Sequence, residues 1–155
     1  MIVINGGQTG LDRAVLDAAL EAGIKIKGYC PKGRLAEDGA IDLKYPLTEI
    51  HAASYNKRTR RNVVLADLVL IIVMSKPDAG TALTIRWAER LQKPLKIVVL
   101  EQNNKTEEEI LEFIKSPCRK ILIAGPRESN EEGIYSQTFP LLLQSFRALT
   151  KRSRP

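Results

Sequence analysis

The sequence predicts an α/β protein of Rossmann-like build, with three layers, α/β/α, around a mostly parallel sheet of five strands or slightly more. Three observations predict it. Short aliphatic runs alternate five times with segments of helical periodicity, as crossover units require. The run Leu68 to Val73 is continuously aliphatic, the pattern of a strand buried on both faces. The first apolar run ends in a glycine-rich turn that leads straight into a helix, Asn5-Gly6-Gly7-Gln8-Thr9-Gly10.

Each element follows from its local pattern. Residues 2 to 5 read as the first strand. From Leu11 the apolar positions Leu11, Val15, Ala18, Ala19 and Ala22 fall at helical spacing, and Gly23 is the stop. A second strand is expected at Ile24 to Tyr29. A polar stretch of little periodicity then runs from Pro31 to about Ser54, too long for a routine connection and of the length at which loops are functional or disordered. Tyr55 to Ala66 reads as a basic helix, Leu68 to Val73 as the central strand, and Gly80 to Gln92 as a helix with Leu83, Trp87 and Leu91 on one face. A strand at Leu95 to Leu100 follows. Thr106 and Glu109 form a capping box for a helix to Lys115, Ile121 to Ala124 is the fifth strand, and Thr138 to Thr150 the last helix. One domain over residues 1–150 is expected, followed by a basic tail, 151–155.

Composition narrows the function classes. The chain has 155 residues, and no apolar run approaches the roughly 20 residues of a membrane helix. The start Met1-Ile2-Val3-Ile4 reads as a strand rather than a secretory leader, so the expected compartment is the cytoplasm. Cys30 and Cys118 lie far apart with no metal-ligand spacing, and reduced thiols are expected. His51 is the single histidine, which argues against a histidine-based triad or metal site; a surface position is expected for it. The net charge of +6 attracts anions in general. With 5% aromatic residues there is little to stack bases on, so direct nucleic-acid binding is not expected.

Ligands of open α/β sheets bind beyond the carboxyl ends of the strands, near the point where strand order reverses. The loops after Ile4, Tyr29, Val73 and Ala124 are therefore the ones to watch. In Gly6 to Gly10 the glycines permit close approach of a ligand, and the first N–H groups of the helix favour an anion. Thr9 is expected to cap the helix or bond the ligand, and Arg13 to add positive charge. The string is neither a Walker loop nor a dinucleotide fingerprint. Asp78-Ala79-Gly80-Thr81 places a second glycine and hydroxyl at a helix start, and Gly125-Pro126-Arg127 presents a guanidinium at the same edge. Arg58 and Asn62, four apart, share a helix face. Lys32, Arg34, Glu37 and Asp38 lie in the long loop, where a mobile lid over residues 31–46 is expected.

The ordered strings GGQTGLDRA, CPKGRLAEDG, YPLTE, YNKRTRRNV, GTALT and AGPRES followed by GIY closely resemble the molybdenum carrier family, the circularly permuted YpsA-type branch of the SLOG superfamily. The likeness covers nearly the whole chain. It implies a Rossmann-like fold related to the DprA and LOG proteins, and it carries over as pocket residues Gly6, Gly7, Gln8, Thr9, Gly10, Asp12, Arg13, Lys32, Arg58, Thr59, Asn62, Gly80, Thr81 and Arg127. It implies molybdenum cofactor as ligand, a pterin bearing a phosphate, with a nucleotide as the alternative. It also implies a homo-oligomer, dimer or tetramer. LOG-type phosphoribohydrolases carry a catalytic glutamate where Thr84 stands here, so the expectation is a carrier or sensor that holds its ligand without catalytic residues or a metal site of its own. A nucleotide-processing enzyme using Asp12, Glu37 or Asp38 is the alternative, and a nucleic-acid-binding module a third reading.

Overall fold

The computed structural model describes residues 1–51, 54–100 and 105–152. The elements in chain order are β1 (Ile2–Ile4), α1 (Leu11–Glu21), β2 (Lys25–Lys27), β3 (Tyr29–Cys30), a 3₁₀ turn (Lys32–Arg34), β4 (Leu35–Ala36), β5 (Gly39–Ala40), β6 (Thr48–Glu49), α2 (Tyr55–Leu65), β7 (Leu68–Val73), α3 (Ala79–Arg90), β8 (Leu95–Val99), α4 (Lys105–Ile114), β9 (Lys120–Ala124) and α5 (Ile134–Arg152). Five strands form one sheet in the order β2-β1-β9-β7-β8, and every pairing in it is parallel. The predicted Rossmann-like α/β class is the observed one.

The period of two along β7 sorts the core. Leu68, Leu70 and Ile72 pack with α1, α4 and α5 on one face, and Val69, Ile71 and Val73 pack with α2 and α3 on the other. All six residues are buried, which is why the run lacks polar alternation.

The topology is that of a permuted doubly wound sheet. Counted from β7 and continued from the C-terminus to β1, the strands take the order 2-1-3-4-5 of the flavodoxin-like class. Helix α5 stands where a crossover from β9 to β1 would run, packed beside α1. Leu149 and Thr150 near its end share one cavity with Met1 and Ile2 at the start of β1. The switch point therefore falls between β7 and β9, whose following helices leave on opposite faces.

Several expected boundaries shift for physical reasons. The strand expected over Ile24 to Tyr29 is broken at Gly28, whose φ of 143° and close approach to the Asn5 backbone leave no room for a Cβ. Beyond it, Tyr29 and Cys30 pair with Thr48 and Glu49 rather than with the central sheet. Helix α5 begins at Ile134 rather than Thr138: the Glu128 carboxylate accepts the N–H groups of Gly133 (2.6 Å) and Tyr135 (3.1 Å), and the helix accommodates Pro140 in its interior. Thr106 lies inside α4 and is not its cap. The four residues before α4 and the tail residues 153–155 lie outside the described residues.

Candidate functional site

A cleft of about 310 Å³ opens at the switch point, beyond the carboxyl ends of β7 and β9. Its walls come from four segments distant in sequence: Gln8 and Asp12 from the first loop and helix, Tyr55, Arg58 and Thr59 from α2, Asp78 to Thr84 from the start of α3, and Ala124, Gly125 and Arg127 after β9. A narrow inner extension of about 30 Å³ reaches Gly6 and Asn62.

Helix α3 is capped by Asp78, whose Oδ1 accepts the Thr81 N–H at 2.8 Å, while Asn130 donates to Oδ2 at 2.7 Å. These bonds keep the Asp78 carboxyl below its ordinary range despite burial. The Thr81 residue is only 3% exposed, and its hydroxyl has no hydrogen-bond partner among the described residues. The Nε of Arg58 is likewise buried and unpartnered. Arg58 is held in place by its Nη1, which donates to the Gly6 carbonyl at 3.1 Å, and by packing 5.0 Å over the Tyr55 ring. Buried donors without partners cost free energy, and these two belong to residues that line the same cleft.

Asp12 is the unusual acid of the cleft. It is 8% exposed, and burial pushes its carboxyl up to about 6 against the opposing pull of Arg58 and the Gln8 N–H.

The predicted site residues divide among several environments. Gln8, Asp12, Arg58, Thr59, Gly80, Thr81 and Arg127 meet in the cleft, and Gly6 and Asn62 in its extension. Thr9, Gly10 and Arg13 face a separate, larger cavity of about 650 Å³ whose other walls include Glu37, Asp38, Glu128 and Glu132. Lys32 is exposed and lines neither space. Gly7 is enclosed, with Leu47 and Ile41 against it.

The backbone of the first loop does not present the row of free donors expected of an anion cradle. The Gly7 N–H is given to the Asn5 side chain at 2.8 Å, that of Gln8 to Asp12 at 3.3 Å, that of Thr9 to the Gln8 side chain at 3.0 Å, and that of Leu11 to the Pro126 carbonyl at 3.2 Å. Gly10 is the residue at the N-cap of α1 and makes no side-chain cap; the Thr9 hydroxyl turns instead to Glu37. Arg13 spends its charge on Asp38, at 2.9 and 3.2 Å.

The long loop is not free-standing either. Its second half buries Ile41, Tyr45, Leu47 and Ile50 between exposed residues. Sequence reasoning had no period to follow here and missed these anchors. It also left out Tyr55, although Tyr55 and Arg58 are three apart on α2 and so share a face.

An all-parallel doubly wound domain with a cleft at its switch point belongs to the class of open α/β folds whose ligands bind beyond the carboxyl ends of the strands. The comparisons make the class particular. A model of the circularly permutated YpsA SLOG family matches residues 3–146, and the chain belongs to that family. It is similar, at 38% identity and a TM-score of 0.84, to the crystal structure of a protein from Syntrophus aciditrophicus named "Putative molybdenum carrier protein", with 94% of this chain and 93% of that one covered. No curated protein matches the chain.

Proposed function

We propose that this protein holds a phosphate-bearing anionic small molecule of the molybdenum-cofactor kind in the switch-point cleft and does not turn it over. The observation that carries this reading is the pair of buried, unpartnered donors, the Thr81 hydroxyl and the Arg58 Nε, on two residues that line one cleft together with Arg127. A guanidinium presents planar N–H donors that suit phosphate oxygens, and the start of α3 adds the positive end of a helix dipole. The name of the similar Syntrophus protein supports molybdenum as the cargo's metal. Thr84 stands where phosphoribohydrolases of related fold carry a glutamate, which favours holding over cleaving.

The test is titration of purified protein with molybdenum cofactor and a panel of nucleotides, set beside Thr81→Val and Arg58→Ala. Loss of roughly tenfold or more in affinity for one ligand class is expected in each variant. Unchanged affinity in folded variants would overturn the reading.

A nucleotide-processing activity is the second reading, and Asp12 favours it. A carboxyl at about 6, enclosed in the cleft beside Arg58, is placed to exchange a proton near neutral pH. Release of product from any member of the nucleotide panel, lost in Asp12→Asn, would select it over the carrier.

A further inference from the structure

Two carboxylates at the tip of the β4–β5 hairpin occupy donors that would otherwise grip an anion. The hairpin pairs Leu35 with Ala40 and Ala36 with Gly39, which leaves Glu37 and Asp38 as its two-residue turn. Glu37 Oε1 receives the Thr9 hydroxyl and the Ser129 N–H (3.2 Å), and Oε2 receives the Ser129 hydroxyl (2.6 Å) with the Arg127 guanidinium 3.8 Å away. Asp38 takes both terminal nitrogens of Arg13. The donor set around Glu37 combines two hydroxyls, one backbone N–H and one guanidinium, which is the composition of an oxyanion cradle rather than of a chance surface contact.

We propose that Thr9, Ser129 and Arg127, with Arg13 alongside, form a second phosphoryl-binding site that the hairpin tip fills with its own carboxylates until an anionic ligand displaces them. The hinge is already present in the packing. The base of the hairpin is fastened by buried Ile41 and by half-buried Ala36, which packs against the core, whereas Leu35 and residues 37–40 are exposed and the tip is held to the body by the hydrogen bonds of Glu37 and Asp38. Displacement frees the donors of Arg13, Thr9, Ser129 and Arg127, and it breaks the Glu37–Arg127 pair that links a residue lining the larger cavity to one lining the cleft. The ligand class is a molecule with two separated anionic groups, one for each site. This deepens the cleft reading at Arg127, which serves both, but the second site stands on its own donors.

Binding of inorganic phosphate to the full chain, followed by calorimetry, tests it. Glu37→Ala/Asp38→Ala is expected to gain roughly tenfold in phosphate affinity, the scale of one charge-assisted hydrogen bond set free. Adding Thr9→Val/Ser129→Ala to that background abolishes the gain, and adding Thr81→Val leaves it. Glu132→Gln, which removes a neighbouring carboxylate of the same cavity, changes affinity little. No gain in a folded double variant overturns the proposal, as does an equal gain in Glu132→Gln or a gain that survives Thr9→Val/Ser129→Ala. If the alanine pair does not fold, Glu37→Gln/Asp38→Asn is judged by the same outcomes. The cleft reading fails separately, by unchanged cofactor and nucleotide binding in Thr81→Val and Arg58→Ala.

Discussion

Asn62 clasps Tyr29 through both ends of its amide: its Oδ1 accepts the Tyr29 N–H at 2.8 Å and its Nδ2 donates to the Tyr29 carbonyl at 3.0 Å. A side chain of α2 thereby behaves as a further strand beside β3. It also fixes the azimuth of the helix that carries Arg58 and Thr59 to the cleft. Replacing Asn62 with Ala strands the two backbone groups of Tyr29 in a partly buried setting, at a cost of about 1–3 kcal/mol. Urea denaturation should show that loss. Ligand affinity should fall with it, because the face shared by residues 58, 59 and 62 moves as a unit. A variant of native stability would contradict this role for the clasp.

Asp12 predicts an unusual pH dependence. Its folded carboxyl, at about 6, lies above the ordinary value of 3.8, so between those limits the folded chain binds more protons at this residue than the unfolded chain. The stability it contributes is therefore full below about 3.8 and is lost as pH rises through 6. The lowered carboxyls of Glu37, Asp38, Asp67 and Asp78 act in the opposite sense, losing stability as pH falls, so the comparison must be made variant against parent. Asp12→Asn keeps an acceptor for the Gln8 N–H and removes the titration. Its stability relative to the parent should rise between pH 4 and pH 7.5 by on the order of 2 kcal/mol. A difference independent of pH would contradict the burial of the charge. A residue that costs stability at neutral pH is best understood as serving the cleft.

Gly10 makes a prediction that separates structure from binding. Its φ is 71°, and a Cβ there would lie 2.6 Å from the Pro126 carbonyl oxygen and 2.7 Å from the Arg127 carbonyl carbon. The close approach that this glycine permits is to the β9–α5 loop of the same chain. Gly10→Ala should destabilise by about 2 kcal/mol or more, from left-handed strain and backbone displacement together. Thermal unfolding with and without ligand checks it. A variant of native stability that merely fails to bind would return Gly10 to the ligand's side.

The sheet was legible because burial on two faces writes itself into β7 and β9 as unbroken aliphatic runs, and the helices because α1 and α3 keep a helical apolar period. The half of the site on α2 and α3 was legible for the same reason: Arg58, Thr59 and Asn62 share a face, and Asp78 to Thr81 carry a cap and a glycine at a helix start. The separation of Arg13 and Thr9 from the cleft was not. It depends on where a two-residue turn at Glu37 and Asp38 lands across 28 and 25 residues of separation, and no local period encodes that. The start of α5 was hidden for a related reason, since its cap is the side chain of Glu128, five residues before Gly133.

The landing of that turn rests on Arg34. Its guanidinium donates to four carbonyls of the segment that follows, those of Ile41, Leu47, Asp42 and Tyr45, each at 2.9 Å. Five N–H donors in a fixed fork can serve four acceptors arranged around it; the three donors of an ammonium cannot. The segment expected to be a mobile lid is thus wound on one side chain, with Ile41 and Leu47 pressed into the body below it. Arg34→Lys should leave the central sheet intact and loosen residues 35–47. Hydrogen exchange should rise there by roughly tenfold or more, equivalent to about 1.4 kcal/mol of lost local stability, while exchange in β7 and β9 stays as in the parent. The hairpin tip would lose its aim as well, so Arg34→Lys should raise phosphate affinity in the same direction as Glu37→Ala/Asp38→Ala. Loosening of 35–47 without any change in phosphate binding would separate the anchor from the latch.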